Sequence, residues 1–125
     1  MAGLVALFAA WLWDRLLYRS GLPEKLRVGI GVPIGEELLK LGAASYFGIP
    51  LILIHPIFGF GEGLFESIRL YKVLHWQTVL VGVFTHLLFG IAYVSVKSTT
   101  VSLFSAIILH SLWNQGILAY QKRCK

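Results

Sequence analysis

Apolar residues run along the chain in five long blocks separated by short polar breaks, at about residues 2–18, 28–48, 51–70, 76–96 and 101–120. An α-helix needs roughly 20 residues to cross ~30 Å of hydrocarbon at 1.5 Å per residue, and the blocks have about that length. The breaks are a polar loop at 19–27, a tight Gly48-Ile49-Pro50 turn, a loop at 71–75 and a short link from Lys97 to Thr100. The first block is the shortest. No basic residue precedes it and no small-x-small cleavage site follows it, so it reads as a helix rather than a signal peptide. Trp11, Trp13 and Tyr18 read as interfacial or packing aromatics. His55-Pro56 falls near the start of the third block and marks its first turn, where a proline does least harm.

Composition turns this pattern into a fold class. Of the 125 residues 57% are hydrophobic and 14% charged, with mean hydropathy +0.75. Soluble domains carry about 25% charged residues, and a chain this short buries only roughly two-thirds of its surface. An ordinary soluble domain and a disordered chain are both excluded. The expectation is all-α: a polytopic integral membrane bundle of about five transmembrane helices, one domain over 1–125. It would stand alone or as a hydrophobic subunit of a larger assembly.

The net charge of +5 does not indicate nucleic acid, because no basic face or recognition motif accompanies it. Arg15, Arg19, Lys25, Arg27, Arg69, Lys72, Lys122, Arg123 and Lys125 flank the first loop, the third loop and the C-terminus. The positive-inside tendency then predicts an N-terminus outside, a cytoplasmic C-terminus and a multi-pass location in the cell membrane. Cys124 is the lone cysteine, which leaves no intrachain disulfide, no paired-thiol zinc motif and no C-terminal prenylation box.

Against this background the polar residues inside the blocks stand out: Glu36, Glu37, Lys40, Glu62, Glu66, His86, His110 and Asn114. A charge near the bilayer centre costs about 2.5–3.5 kcal/mol on insertion scales, so such groups face one another or a wet cavity. Counted from the cytoplasmic ends, Glu36, Glu37, Glu62, His86 and His110 lie roughly 12–15 Å deep, Asn114 about 9 Å and Glu66 about 6 Å. His55 falls near the opposite surface and is left out. Glu62 and Glu66 are four apart on one face, as are His110 and Asn114, and Glu36 and Lys40 have the spacing of an ion pair. Each has a bland reading. Lys40 can be a counter-ion to Glu36 or Glu37, Glu66 can pair with Arg69 or Lys72, and either histidine or Asn114 can bridge helices. The many glycines, Gly29 to Gly42 and Gly59 to Gly63 among them, serve close helix packing or let backbone approach a polar site.

Two histidines, an amide oxygen and carboxylates can hold Zn2+ or another divalent metal, and they can equally hold water alone. Glu36, Glu62, Glu66, His86, His110 and Asn114 are the candidate metal ligands. In either case a glutamate can take a proton from water, and imidazole and amide donors can stabilise an oxyanion. Peptide hydrolysis is the chemistry that would result. Ser45, Thr85 and Ser111 can satisfy a helix carbonyl and are weak nucleophiles.

The motifs also occur in a recognisable order: Glu36-Glu37-Leu38-Leu39-Lys40, then Gly59-Phe60-Gly61-Glu62-Gly63-Leu64-Phe65-Glu66-Ser67, then His86 with Gly90, then His110-Ser111-Leu112-Trp113-Asn114. This resembles the PrsW-like intramembrane proteases, in the wider clan of CPBP proteins and CAAX prenyl endopeptidases. It spans about 36–114 within a family-like core of 28–120. The resemblance implies that Glu36 activates water with Glu37 as its partner, that Lys40 is the basic residue of the box, and that His86, His110 and Asn114 orient water or metal. Glu66 matches the second-box glutamate, while Phe58-x-x-x-Glu62 fits the FxxxH spacing of the prenyl endopeptidases, so either glutamate can fill that place. Ser67 stands where the family usually has asparagine, and the chain is short for the family. A membrane-embedded or lipidated protein is the implied substrate, reaching the site between helices or through a homodimer seam. Two rivals remain: a transporter or solute- and ion-binding protein, although no internal repeat is seen, and a non-catalytic immunity or scaffold protein.

Overall fold

A computed structural model of the chain describes residues 1–123; Cys124 and the last basic residue, Lys125, lie outside the described part. The described residues form α1 (Ala2–Arg19), α2 (Glu24–Leu26), a π-helical turn (Arg27–Gly31), α3 (Val32–Phe47), α4 (Leu51–Tyr71), α5 (Trp76–Val94) and α6 (Thr99–Arg123), with no strand among them. Residues 24–47 run on without a break, so five long helices result, one for each apolar block.

Three of them, α4, α5 and α6, are long and apolar enough to cross a membrane. The other two differ from the expectation for a physical reason. Helix α1 carries Asp14, Arg15 and Arg19, and α3 has 16 residues that include Glu36, Glu37 and Lys40. The pattern of burial is inverted relative to a soluble protein. Glu36, Glu37, Lys40, His55, His86 and His110 are buried, whereas Phe8, Leu16, Phe84, Leu88, Phe104 and Leu112 are more than half exposed. Such an outer surface suits hydrocarbon better than water.

Two boundaries are corrections. The second long helix begins at Glu24, not near residue 28. Pro23 leaves the loop with φ −53 and ψ 138, and Glu24 sits where a negative charge favours the helix dipole. Arg27 is then held 3.2 Å from Asp14 and over the Tyr18 ring. In α4, Pro56 lies inside the helix rather than in its first turn. Its missing N–H removes the regular helix bond to the Ile52 carbonyl.

The π-helical turn matters because it inserts a residue just before the Glu36-Glu37 pair. One added residue rotates the following helix by about 100°. Neighbouring helices hold the turn in place: Trp13 Nε1–H donates to the Gly31 carbonyl at 2.9 Å, and Asn114 Nδ2–H donates to the Val28 carbonyl at 3.0 Å.

Packing rests on small residues. Ala2, Ala6 and Ala10 are buried with Ala43, Ala44, Leu51, Ile54 and Phe58 where α1, α3 and α4 meet. Helices α4 and α5 approach more closely still. A Cβ on Gly82 would lie 2.6 Å from the Gly59 carbonyl oxygen, and one on Gly63 would lie 2.8 Å from the Val79 Cα. Only glycine allows this backbone contact, which brings the two helices near enough for short polar side chains to meet. At the corner after α4, the buried Ser67 hydroxyl donates to the Val73 carbonyl at 3.1 Å and accepts from the His75 N–H.

These contacts predict opposite effects for two alanines. Gly82→Ala should lower stability by about 1–3 kcal/mol through overpacking. Gly42→Ala, mid-helix with nothing within 4 Å of its new methyl, should raise it by about 0.5–1 kcal/mol. Reversible unfolding in mixed micelles reads both.

Candidate functional site

Seven polar side chains from four helices meet inside the bundle: Glu36, Glu37 and Lys40 from α3, His55 and Glu62 from α4, His86 from α5 and His110 from α6. Lys40 is at the centre and fully buried. A helical side chain leans toward the N-terminus of its own helix, which carries the Lys40 ammonium back over the preceding turn. There Nζ donates to Glu37 Oε1 at 2.7 Å and to His86 Nδ1 at 3.1 Å, and lies 4.1 Å from the centre of the Phe58 ring. Glu36 Oε2 is farther away, at 3.8 Å. Of the two expected partners, the ammonium is committed to Glu37.

Hydrogen bonding then fixes which ring nitrogens carry protons. A carboxylate only accepts and an ammonium only donates. His86 Nδ1 must accept from Lys40, so Nε2–H donates to Glu62 Oε2 at 2.5 Å. His110 Nδ1–H donates to Glu37 Oε1 at 2.9 Å, which leaves its Nε2 lone pair bare and 3.6 Å from Glu36 Oε2. The rings are braced by aromatics. Phe89 stacks on His110 with centroids 4.8 Å apart, and Phe58 lies 5.3 Å from His86. The Glu62 side chain is 42% exposed, so the cluster reaches the bundle surface on α4.

Among the described residues, the buried side-chain atoms Glu36 Oε2, Glu37 Oε2 and both ring nitrogens of His55 have no hydrogen-bond partner. Three carboxylates against one ammonium give a formal charge of −2 if the histidines are neutral. Excess negative charge inside a bundle calls for protons or a cation. Metal-capable atoms of Glu36, His86 and His110 lie within 4.8 Å of one another, as do those of Glu37, His55 and His86.

The structure therefore sorts the expected residues. Glu36, Glu37, Lys40, Glu62, His86 and His110 come together. Glu66 does not: Arg69 binds it through Nε at 2.8 Å and through a second nitrogen, in a surface pair beyond the cluster. Asn114 is also elsewhere, its amide spent on the Val28 carbonyl. In both cases i,i+4 spacing gives a shared helix face but not a shared depth. His55, which depth counting excluded, belongs to the cluster; it is fully buried, with Nε2 3.6 Å from Glu37 Oε2. Counting from helix ends treats helices as upright and level, whereas here Gly90 of α5 leaves room for the His55 ring, 3.1 Å from its would-be Cβ. The signal was in the sequence: His55, Phe58 and Glu62 are spaced i, i+3, i+7 on one face.

No family model matches the chain, and no curated protein or solved structure matches it either. The arrangement of the side chains themselves is thus what speaks to function.

Two charge pairs should respond very differently to truncation. Lys40→Met leaves Glu37 buried and unpaired and should cost about 3–5 kcal/mol. Arg69→Met breaks an exposed pair and should cost no more than about 1 kcal/mol. Unfolding of the purified variants in detergent makes the comparison.

Proposed function

We propose that this chain is a multi-pass protein of the cell membrane, with the N-terminus outside and the C-terminus cytoplasmic, that hydrolyses a peptide bond of a membrane-embedded or lipidated protein. The membrane placement is supported by the three apolar helices, the exposed apolar exterior and the Lys/Arg-rich ends. The hydrolytic reading rests on one observation above the others: Glu36 Oε2 is buried, has no hydrogen-bond partner and faces the bare Nε2 of His110 at 3.6 Å. The order of the polar boxes, which resembles the PrsW-like proteases, points the same way.

In this reading Glu36 accepts a proton from a water held beside it. The water oxygen bonds to the substrate carbonyl carbon, the C–N bond then breaks, and Glu36 returns the proton to the leaving amine. Glu37 fixes the His110 ring through Nδ1, and Glu62 fixes the His86 ring through Nε2. Lys40 offsets the charge of Glu37 and is the ammonium nearest to where negative charge develops. Glu36, His86 and His110 would hold a divalent metal such as Zn2+, since their donor atoms have suitable types and spacing. A bound metal would acidify its water and polarise the carbonyl. Glu66 and Asn114 are not in that set.

The formal charge of −2 favours one second reading, the binding and transfer of a cation without hydrolysis.

Glu36→Gln should lower cleavage of a quenched transmembrane or lipidated peptide at least about 100-fold in proteoliposomes, with helicity and thermal midpoint preserved. Glu62→Gln should lower it too, and Glu66→Gln should leave it intact. Cleavage that survives Glu36→Gln removes the hydrolytic reading. Cation flux that needs Glu36, with no cleavage of either peptide class, replaces it with the second reading.

A further inference from the structure

His55 is the group that the hydrolytic site does not use. It is fully buried, neither of its ring nitrogens has a hydrogen-bond partner among the described residues, and Nε2 faces Glu37 Oε2 at 3.6 Å. That distance is informative. A direct hydrogen bond would close to about 2.9 Å. A bridging water, with two bonds of about 2.8 Å at a tetrahedral angle, would hold the atoms roughly 4.6 Å apart. A tetrahedral ion with bonds of about 2.0–2.2 Å spans edges of roughly 3.3–3.6 Å between its ligands. The His55–Glu37 pair fits the ion best. The His110–Glu36 pair has the same separation of 3.6 Å, and a nitrogen of His86 lies within reach of both pairs.

We infer that Glu37, His55 and His86 form a second seat for a divalent cation beside the seat of Glu36, His86 and His110. The two seats share His86, and an ion at either would take its lone-pair nitrogen, Nδ1, from Lys40 while Nε2–H stays on Glu62. Charge limits their joint occupancy. One divalent ion cancels the −2 of the cluster; a second would add uncompensated positive charge next to the Lys40 ammonium. The chain therefore holds one ion distributed between two positions, with Lys40 repelling it at either. His55 extends the donor set toward the Gly90 level of α5, away from the exposed Glu62, and so gives the ion a deeper resting place. Cation binding at this seat requires no hydrolysis.

The test is a Co2+ titration of chelator-treated protein in detergent, with Zn2+ added to 15N-histidine-labelled protein in parallel. Glu36→Gln removes the first seat's carboxylate at constant shape, and Glu37→Gln does the same for the second. Glu36→Gln should still bind one Co2+ per chain. Adding His55→Ala to it should weaken binding at least roughly 100-fold, more than the loss of a group that merely hydrogen-bonds a ligand. Zn2+ should shift the His55 ring nitrogens in Glu36→Gln and, in part, in the unaltered chain, which keeps the result decidable if a variant misfolds. Binding that survives Glu37→Gln but not Glu36→Gln overturns the second seat and leaves the first. Binding with unmoved His55 signals overturns it as well. Absence of binding in the unaltered chain and in both single variants overturns both seats, and leaves a metal-free Glu36 as the hydrolytic reading to be judged on cleavage alone.

Discussion

A fully buried ammonium between carboxylates governs this structure. Lys40 and Glu37 are 2.7 Å apart with 0% and 1% of their side chains exposed. Two unit charges at 4 Å attract by about 4 kcal/mol at an effective dielectric constant of 20, and leaving either one alone in the bundle costs a similar amount. Neither residue could be placed here without the other. Once both are in place, their remaining hydrogen-bonding capacity dictates what surrounds them: Lys40 needs acceptors and finds His86, while Glu37 needs donors and finds His110.

This polar centre depends on backbone proximity, and glycine supplies it. The Gly59–Gly82 and Gly63–Val79 approaches bring α5 against α4 closely enough for His86 to reach Glu62 on one side and Lys40 on the other. The π-helical turn before α3, tied to α1 through Trp13 and to α6 through Asn114, sets the rotation of Glu36 and Glu37. Asn114 thus acts on the centre from outside it.

The hydrogen bonds that are made also define those that are not. Because the tautomers of His86 and His110 follow from fixed donors and acceptors, two histidine–carboxylate pairs are left facing each other without a bond. Buried polar groups normally find partners, so unmet ones call for an explanation, a bound water or ion among them. Both unmet pairs lie in one cluster, and that is the physical basis for reading the bundle as a site rather than as helices locked by polar contacts.

The five helices and their approximate limits were legible in the sequence, because the length and hydropathy of each apolar block determine them almost locally. So was the convergence of Glu36, Glu37, Lys40, Glu62, His86 and His110, since ionisable groups in apolar helices have few places to go. The choice between Glu62 and Glu66 was not legible. Both share one face of α4, and only the packing of α5 puts His86 beside Glu62 and leaves Glu66 to Arg69. Asn114 and His55 were misplaced for a related reason: residue counting gives a position along a helix, whereas tilt, helix crossing and the π-helical turn decide which side chains meet. Local pattern determines what must be buried; only the tertiary structure decides against what, because distances between helices are set by contacts far apart in the chain.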